Sequence, residues 1–220
     1  MFGGMTSITP AKVRDIASAT PLLVWLLLGV AASLMDAREL FEKSGELVAA
    51  AAALVGAGFF GLLIFLIAAR LPAIGKACGW APRLCALAAL APPFLFLLVA
   101  RSELSPLRLA FSNGLILLGT AGAIYCACWL GRSFGVLPRA RALVTGGPYS
   151  RLRHPLYACE ILLMAGVMLR YEQPLAGLVF AACAAAQIPR MHFEERAMEE
   201  SFPDYADYAR RTRRLLPFIY

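Results

Sequence analysis

The segment that decides the fold is Gly146-Gly147-Pro148-Tyr149-Ser150-Arg151-Leu152-Arg153-His154-Pro155-Leu156-Tyr157, a polar island between two apolar runs. It holds one of the two histidines in the chain. Gly-Gly-Pro opens it as a loop, and the proline that follows His154 is placed to start a helix. Because arginine and histidine are costly to hold beside hydrocarbon, we expect this loop to serve a function at a membrane surface.

The composition of the 220-residue chain is typical of a polytopic membrane protein. Hydrophobic residues make up 60% of it and charged residues 16%, with a mean hydropathy of +0.68. A bilayer selects long apolar runs, since about 20 apolar residues are needed to cross about 30 Å of hydrocarbon as a helix. The net charge of +7 lies in the loops between such runs, so membrane topology and anionic lipids explain it, and we expect no nucleic-acid partner.

Six apolar runs predict an all-α membrane bundle of about six transmembrane helices with a C-terminal cytoplasmic helical extension. The runs begin near residues 21, 47, 84, 107, 156 and 174. The first run, with the charged residues before it, also fits a cleavable signal peptide, but we expect a retained span because more spans follow. Pro92-Pro93 should kink the third helix. The short link at residues 170–173 predicts an antiparallel hairpin of the last two helices.

The basic residues predict the orientation of this bundle. If both termini are cytoplasmic, 16 of the 21 Lys and Arg residues fall in inner segments and 5 in outer ones. Positive residues are retained on the cytoplasmic side. We therefore expect an integral protein of a bacterial inner membrane, with residues 146–157 and the C-terminal tail on the same cytoplasmic face.

Two other patterns are interpreted as packing rather than as sites. Residues 56–61 fit GxGxxG, but they lie inside an unbroken apolar run without the strand that a dinucleotide site requires, so small residues for close helix contact explain them better. The six cysteines form no CxxC pair or His/Cys cluster. We therefore expect neither a disulfide framework nor a metal site.

Ionisable residues recur along one stripe of the helix that follows the polar segment. His154, Tyr157 and Glu160 are spaced by three residues, which places them on one face. Glu160 lies about one turn into an apolar run, where an ionisable group is expected to face a polar cavity. The alternative is a carboxylate that satisfies local donors or extends outward to the interface.

A second group lies on the last long helix, which becomes too charged for lipid after Pro189 and should leave the membrane above the polar segment. Gln187, Arg190 and Glu194 share one face at spacings of three and four, and Glu195 lies about 100° around the helix. A solvated charge run is the alternative interpretation. The nearby loop with Arg, His and Tyr favours a shared pocket instead.

Four motifs in the second half of the chain form a set with characteristic spacing. They are Gly147-Pro148-Tyr149; Arg153-His154-Pro155-Leu156-Tyr157; Arg190 followed by Glu194-Glu195-Arg196; and Tyr205 with Tyr208 before a terminal Arg-Leu-Leu-Pro. This set resembles the isoprenylcysteine carboxyl methyltransferase and phospholipid methyltransferase family over about residues 110–220. RHPxY alone is moderately specific, whereas the whole set at this spacing is a strong signal.

The resemblance implies an integral membrane methyltransferase that binds S-adenosylmethionine at the cytoplasmic side and takes a lipid-like acceptor from the bilayer. It makes residues 106–220 the expected methyltransferase core, whereas the apolar runs of residues 1–105 predict N-terminal transmembrane helices that are either an anchor or a substrate gate. The implied cofactor-binding residues are Gly147, Tyr149, Arg153, His154, Pro155, Tyr157 and Glu195. The implied catalytic residues, which position the acceptor, are Arg190 and Glu194, with Glu160 and Gln187 as further substrate residues. Which of the two glutamates binds the cofactor stays open.

The acceptor also stays open at this point. A carboxylate is already ionised at pH 7, and Arg190 could hold it in bidentate fashion. An amine must first lose a proton, which Glu194 or Glu160 could accept. We therefore expect carboxyl O-methylation of an isoprenylcysteine-like or other lipid-like carboxylate, on a small molecule or a prenylated protein. The alternatives are a phospholipid ethanolamine N-methyltransferase and, from another class, a non-catalytic or reductase-like membrane relative.

Overall fold

The computed structural model describes residues 17, 19–44, 47–74, 79–88, 95–96, 98–135 and 137–215. These residues are helical except for connecting segments, and their only extended pairing consists of two isolated bridges, Arg101 with Tyr171 and Leu152 with Arg213. The predicted all-α class is confirmed. The predicted kink at Pro92-Pro93, the charged residues before the first run and the end of the C-terminal motif lie outside the described residues.

Seven α-helices are defined in the described part of the chain. They are α1 (Thr20–Glu39), α2 (Leu47–Ala69), α3 (Trp80–Ala88), α4 (Pro106–Leu130), α5 (Pro155–Met168), α6 (Leu175–Ser201) and α7 (Tyr205–Arg211). A π-helix, Leu40–Ser44, continues α1, and 3-10 turns cover Gly131–Ser133 and Gly147–Ser150.

Three helical segments are long and apolar enough to cross a membrane. They are Thr20–Glu42, Ala49–Ala69 and Pro106–Ser133, whereas α5 is a shorter apolar helix. Exposed large apolar side chains such as Leu28, Phe65 and Leu118 suit a lipid surface. The structure therefore supports a membrane protein, but the predicted count of six spans is not confirmed among the described residues.

The N-terminal helices share a core with the second half of the chain. α1 and α2 form a hairpin, and α2 packs on α4. Leu26 and Ile67 are almost fully buried, in one apolar cluster with Ala127 of α4 and Leu156 of α5. Because burial of apolar side chains is a main stabilising contribution, this cluster joins the two halves.

α4 and α5 approach closely because small residues lie between them. A Cβ atom added at Gly119 would lie 2.6 Å from the backbone nitrogen of Leu163. About two turns closer to the start of α4, the hydroxyl of Ser112 donates a hydrogen bond to the carbonyl oxygen of Gly166, at 2.8 Å. Glycine at such contacts lets membrane helices pack backbone to backbone. This contact fixes α5, whose first turn carries the polar segment.

α5 and α6 form the predicted antiparallel hairpin. Contacts between them pair Glu160 with Gln187 and, toward the other end, Tyr157 with Glu194. α6 continues through Pro189 without a break to Ser201, as the sequence predicts for a helix that leaves the membrane. α6 therefore stands over the start of α5.

Backbone hydrogen bonds hold the polar segment from the C-terminal side. The amide of Arg153 donates to the carbonyl of Arg213 at 2.7 Å, and that of His154 donates to Arg214 at 2.9 Å. In return, the amide of Arg213 donates to Arg151 at 3.0 Å. The tail after α7 is thus bonded to the segment that precedes α5.

The loop between α4 and the polar segment is held from the N-terminal side. The amide of Leu71 donates to the carbonyl of Arg132 at 2.8 Å, and that of Ile74 donates to Ala140, also at 2.8 Å. The Arg132 Nε donates to the carbonyl of Ala69 at 3.0 Å. We name residues 69–74, which begin with the last residue of α2, the brace.

Candidate functional site

A cavity of about 130 Å³ lies where the loop after α4, the polar segment, α6 and α7 meet. Its walls are built from Leu130, residues 133–135, Leu137, Arg139, residues 141–144, Tyr149, Arg153, His154, Leu156, Tyr157, Arg190, Glu194, Glu195, Met198, Tyr205 and Tyr208. Polar and aromatic groups converge there at the end of the apolar helices, which is typical of a ligand site.

His154 and Tyr157 are positioned by the start of α5. His154 is the N-cap residue and Pro155 occupies the first turn, where its missing N–H costs no hydrogen bond. The two rings stack with centroids 5.3 Å apart and 6° between their planes. The guanidinium carbon of Arg190 lies 4.5 Å from the centroid of the Tyr157 ring, a cation–π contact. The first turn of α5 thereby presents a flat aromatic wall to the cavity.

Glu195 joins three parts of the chain. Its Oε1 accepts a hydrogen bond from Arg153 Nε at 2.8 Å and lies 3.2 Å from His154 Nε2, while its Oε2 lies 3.0 Å from Arg214. Burial acts to raise the pKa of Glu195, but the hydrogen bonds from His154 and Arg153 outweigh it and bring the pKa to about 2. Both carboxylate oxygens are therefore engaged by cations of the chain itself.

Glu194 has a different environment, one position along α6. Its Oε1 accepts a hydrogen bond from the Tyr157 hydroxyl and lies 3.5 Å from Arg190 Nε. Its side chain is 24% exposed, against 8% for Glu195. Glu194 is therefore the carboxylate with capacity left for a ligand.

A polar ladder leads from Arg190 into the apolar part of the α5–α6 hairpin. Arg190 Nη1 lies 3.5 Å from Gln187 Oε1, and Gln187 Nε2 donates to Glu160 Oε2 at 3.2 Å. Gln187 and Arg190 are buried. Glu160 thus faces Gln187 of α6 and does not line the cavity that the sequence predicted for it, and Gln187 does not line the cavity either.

The backbone conformation and the close packing at position 147 both require glycine. Its φ is +57°, and an added Cβ atom would lie 2.3 Å from the Trp129 ring. Neither condition tolerates a side chain. Gly147 and Pro155 do not line the cavity, whereas the other predicted cofactor-binding residues do, as do Arg190 and Glu194.

The tyrosines of α7 close the cavity on the side of the tail. The hydroxyl of Tyr208 donates to the carbonyl of Tyr149 at 2.8 Å, and burial raises the pKa of Tyr208 to about 12. Tyr208 therefore stays a neutral donor at physiological pH and ties α7 to the polar segment.

Sequence reasoning missed the wall formed by the loop after α4. Arg139 and Arg141 line the cavity there, although the sequence suggested only a topological role for them. The Nε atoms of Arg139 and Arg190 are buried and have no hydrogen-bond partner. The available signal was the density of arginine in this short loop. Among the described residues, no group of three His, Cys, Asp or Glu side chains is close enough to hold a metal ion.

Residues 107–205 match the family model described as phospholipid methyltransferase. The match covers slightly less than half of the chain. The resemblance predicted from the four motifs is confirmed over these residues. The matched region contains α5, α6, nearly all of α4 and every cavity residue except Tyr208. The cavity therefore lies within the methyltransferase-family region.

Two bacterial proteins with curated descriptions are similar to the chain over about half its length. The cobalt-zinc-cadmium resistance protein CzcN of Cupriavidus metallidurans is 36% identical over 115 residues, which are 51% of this chain and 50% of CzcN. The nickel-cobalt-cadmium resistance protein NccN of Alcaligenes xylosoxydans xylosoxydans is 33% identical over 104 residues, 46% of each chain. The chain thus spans about half the length of these relatives, and their names specify no reaction.

The cavity of the methyltransferase-family region has the chemistry to hold S-adenosylmethionine. The Arg139 Nε, which has no hydrogen-bond partner among the described residues, can donate to a carboxylate. The Glu194 carboxylate can accept from an ammonium or a ribose hydroxyl. Phe134, Leu137 and Met198 supply apolar surface for a base. The residues present therefore fit this cofactor.

Proposed function

We propose that this protein is an S-adenosylmethionine-dependent membrane methyltransferase that methylates the carboxylate of a lipid-like acceptor. One observation carries the proposal. Arg190 is buried, its Nε has no hydrogen-bond partner, and it lies between the cavity and the polar ladder that leads into the α5–α6 hairpin. A buried arginine whose Nε forms no hydrogen bond, and lies 3.5 Å from its ion-pair partner Glu194, suits an anionic group that arrives from the bilayer.

The reaction needs alignment more than acid or base chemistry. When bound, S-adenosylmethionine supplies an electrophilic methyl group on a sulfonium. Transfer of that methyl group to an oxygen of the acceptor carboxylate would give an ester and leave a neutral thioether. Arg190 holds the acceptor carboxylate in line, and the closed wall of His154 and Tyr157 excludes water.

The two glutamates support different tasks. Glu194, hydrogen-bonded to Tyr157, is the carboxylate placed to contact a ligand and to hold Arg190. Glu195 acts through Arg153 and His154, which it orients toward the cavity. This division assigns ligand contact to Glu194 and positioning to Glu195.

Residues 106–220 would then form the reactive core, and residues 1–105 an anchor that also supports the core through the brace. The basic residues favour cytoplasmic termini and a cytoplasmic cavity in a bacterial inner membrane. The acceptor would enter from the bilayer side of α5 and α6.

A phospholipid N-methyltransferase is the second candidate, because the matched family carries that description and because Glu160 and Glu194 could take a proton from an amine. A non-catalytic relative is the third, since CzcN and NccN are described as resistance proteins.

The test is transfer of labelled methyl groups in membranes. Membranes that contain the full chain are incubated with S-adenosylmethionine tritiated on the methyl group, and the extracted label is treated with base. We expect label that is released as methanol, because methyl esters are base-labile. Arg190→Gln should reduce this signal at least about tenfold, since a charged hydrogen bond to the acceptor is lost.

Arg196→Gln is the matched control on the same helix, because Arg196 is 76% exposed and pairs only with Glu200 on the surface. It should leave the signal unchanged. Base-stable label that migrates with phospholipid would show that the acceptor is an amine and not a carboxylate. If the amount of label did not exceed that in membranes without the protein, the methyltransferase proposal would be wrong.

A further inference from the structure

One wall of the cavity carries Arg139, for which no described residue supplies a hydrogen bond or an ion pair. Arg139 lines the cavity, its Nε is buried, and no described residue forms a hydrogen bond or ion pair with its guanidinium. Buried donors are nearly always paired in folded proteins. An unpaired guanidinium in a cavity wall therefore points to a bound anion.

The other charged groups of the cavity are already matched. Glu195 is bonded to Arg153, and Glu194 lies beside Arg190. Arg141 donates to the carbonyl of Leu71. Since Glu194 and Glu195 already lie beside other arginines, neither carboxylate of the cavity is left to pair with Arg139.

Arg139 is also held in place. The amide of Arg139 donates to the carbonyl of Leu137 at 2.8 Å, and the next residue, Ala140, accepts a hydrogen bond from Ile74 of the brace at 2.8 Å. Backbone bonds on both sides restrict the position from which the side chain reaches the cavity. A restrained arginine loses less entropy on binding an anion than a mobile surface arginine does.

The location of Arg139 separates it from the acceptor. Arg190 adjoins the ladder to Gln187 and Glu160, inside the apolar hairpin, whereas Arg139 lies on the loop that packs against the brace. A lipid-borne group would approach along the hairpin, and a water-soluble ligand would approach from the loop side. The anion that meets Arg139 therefore belongs to the soluble ligand.

We propose that Arg139 binds the carboxylate of the methionine part of S-adenosylmethionine. This inference rests on the proposed function and names a binding residue for its cofactor. The carboxylate would form an ion pair with the Arg139 guanidinium. The ammonium group on the neighbouring α-carbon would lie within reach of an acidic side chain such as Glu194.

The test compares S-adenosylmethionine with its decarboxylated analogue, which keeps the sulfonium, the nucleoside and the amine. Dissociation constants are measured by calorimetry on the full chain in detergent. We expect Arg139→Gln to weaken S-adenosylmethionine about tenfold or more and to leave the analogue unchanged or tighter, because only the former has a carboxylate. Arg139→Lys should retain most of the affinity.

Arg151→Gln is the matched control, since Arg151 is exposed and does not line the cavity. It should bind both ligands as the unsubstituted chain does. Equal losses of affinity for both ligands in Arg139→Gln would overturn the assignment. Unchanged affinity for S-adenosylmethionine in that variant would overturn it too. If the unsubstituted chain bound neither ligand, the proposed function itself would fail, which is a distinct outcome.

Discussion

Glu194 and Glu195 are adjacent in sequence but have opposite surroundings. A rotation of about 100° along the helix turns Glu195 toward Arg153, His154 and Arg214 and leaves Glu194 beside Tyr157. Glu195 therefore contributes to stability, and Glu194 is the one available for ligand contact. Identical side chains obtain different tasks from the charges around them.

The depressed pKa of Glu195 predicts a pH-dependent stability. The pKa falls from 4.5 to about 2 in the folded chain, so the ionised carboxylate stabilises the fold above pH 4.5 and loses that effect as the pH falls toward 2. Glu195→Gln should lower the free energy of unfolding at pH 7 by about 3 kcal/mol, the usual cost of removing one partner of a buried ion pair. Thermal unfolding in detergent, followed by tryptophan fluorescence, measures this.

The difference between Glu195→Gln and the unsubstituted chain should shrink between pH 4.5 and pH 2. Glu200→Gln is the control, because the Glu200 side chain is 66% exposed and its pair with Arg196 is weak. A difference that stays constant over this pH range would show that Glu195 does not stabilise the fold as an ionised group.

The contact between α4 and α5 depends on glycine at one position. Gly119 lets the backbone of Leu163 approach, and the same contact sets where the first turn of α5, with His154 and Tyr157, meets the cavity. Because helices are stiff, a displacement at Leu163 is transmitted to that turn. Packing inside the membrane region and the geometry of the site are therefore coupled.

Gly119→Ala should destabilise the chain by about 1–3 kcal/mol, the usual cost of overpacking, and weaken S-adenosylmethionine binding. The physical reason is the 2.6 Å separation between the added Cβ atom and the Leu163 nitrogen. Gly114→Ala on the same helix is the control, since nothing lies within 4 Å of its added Cβ atom. Equal melting temperatures for the two variants would contradict this account of the contact.

The two halves of the molecule are connected at the cavity as well as in the core. The brace, residues 69–74, follows a membrane helix of the first half, yet its amides hold the loop that carries Arg139. The first half therefore contacts the second outside the apolar core as well as within it. It sets the position of one wall of the candidate site.

Ile74→Pro tests this connection, because proline has no N–H to donate to the carbonyl of Ala140. Loss of one backbone hydrogen bond is worth about 1 kcal/mol, so we expect S-adenosylmethionine to bind about fivefold more weakly while the melting temperature changes little. Ala73→Pro is the control, since its amide forms no recorded bond in the described residues. Unchanged affinity in Ile74→Pro would show that the loop holds its position without the brace.

Local patterns were sufficient for much of the fold and part of the site. The apolar runs predict helices, and helical spacing places Arg190 and Glu194 on one face, because both depend only on neighbours along the chain. Arg139 was not predicted, because its arrival at the cavity depends on Ala140 meeting Ile74, 66 residues earlier in the chain. The engagement of Glu195 by Arg214 likewise depends on where the tail after α7 returns.

The sequence by itself determined the all-helical class, the membrane setting, the α5–α6 hairpin and the resemblance of residues 107–205 to the phospholipid methyltransferase family, since composition, periodicity and motif spacing are properties of the chain. Only the tertiary structure decided that Glu195 is neutralised by the chain, that Glu194 is available, and that the unpaired Arg139 completes the cavity. The physical reason is that charge balance and burial depend on groups that folding brings together from distant segments.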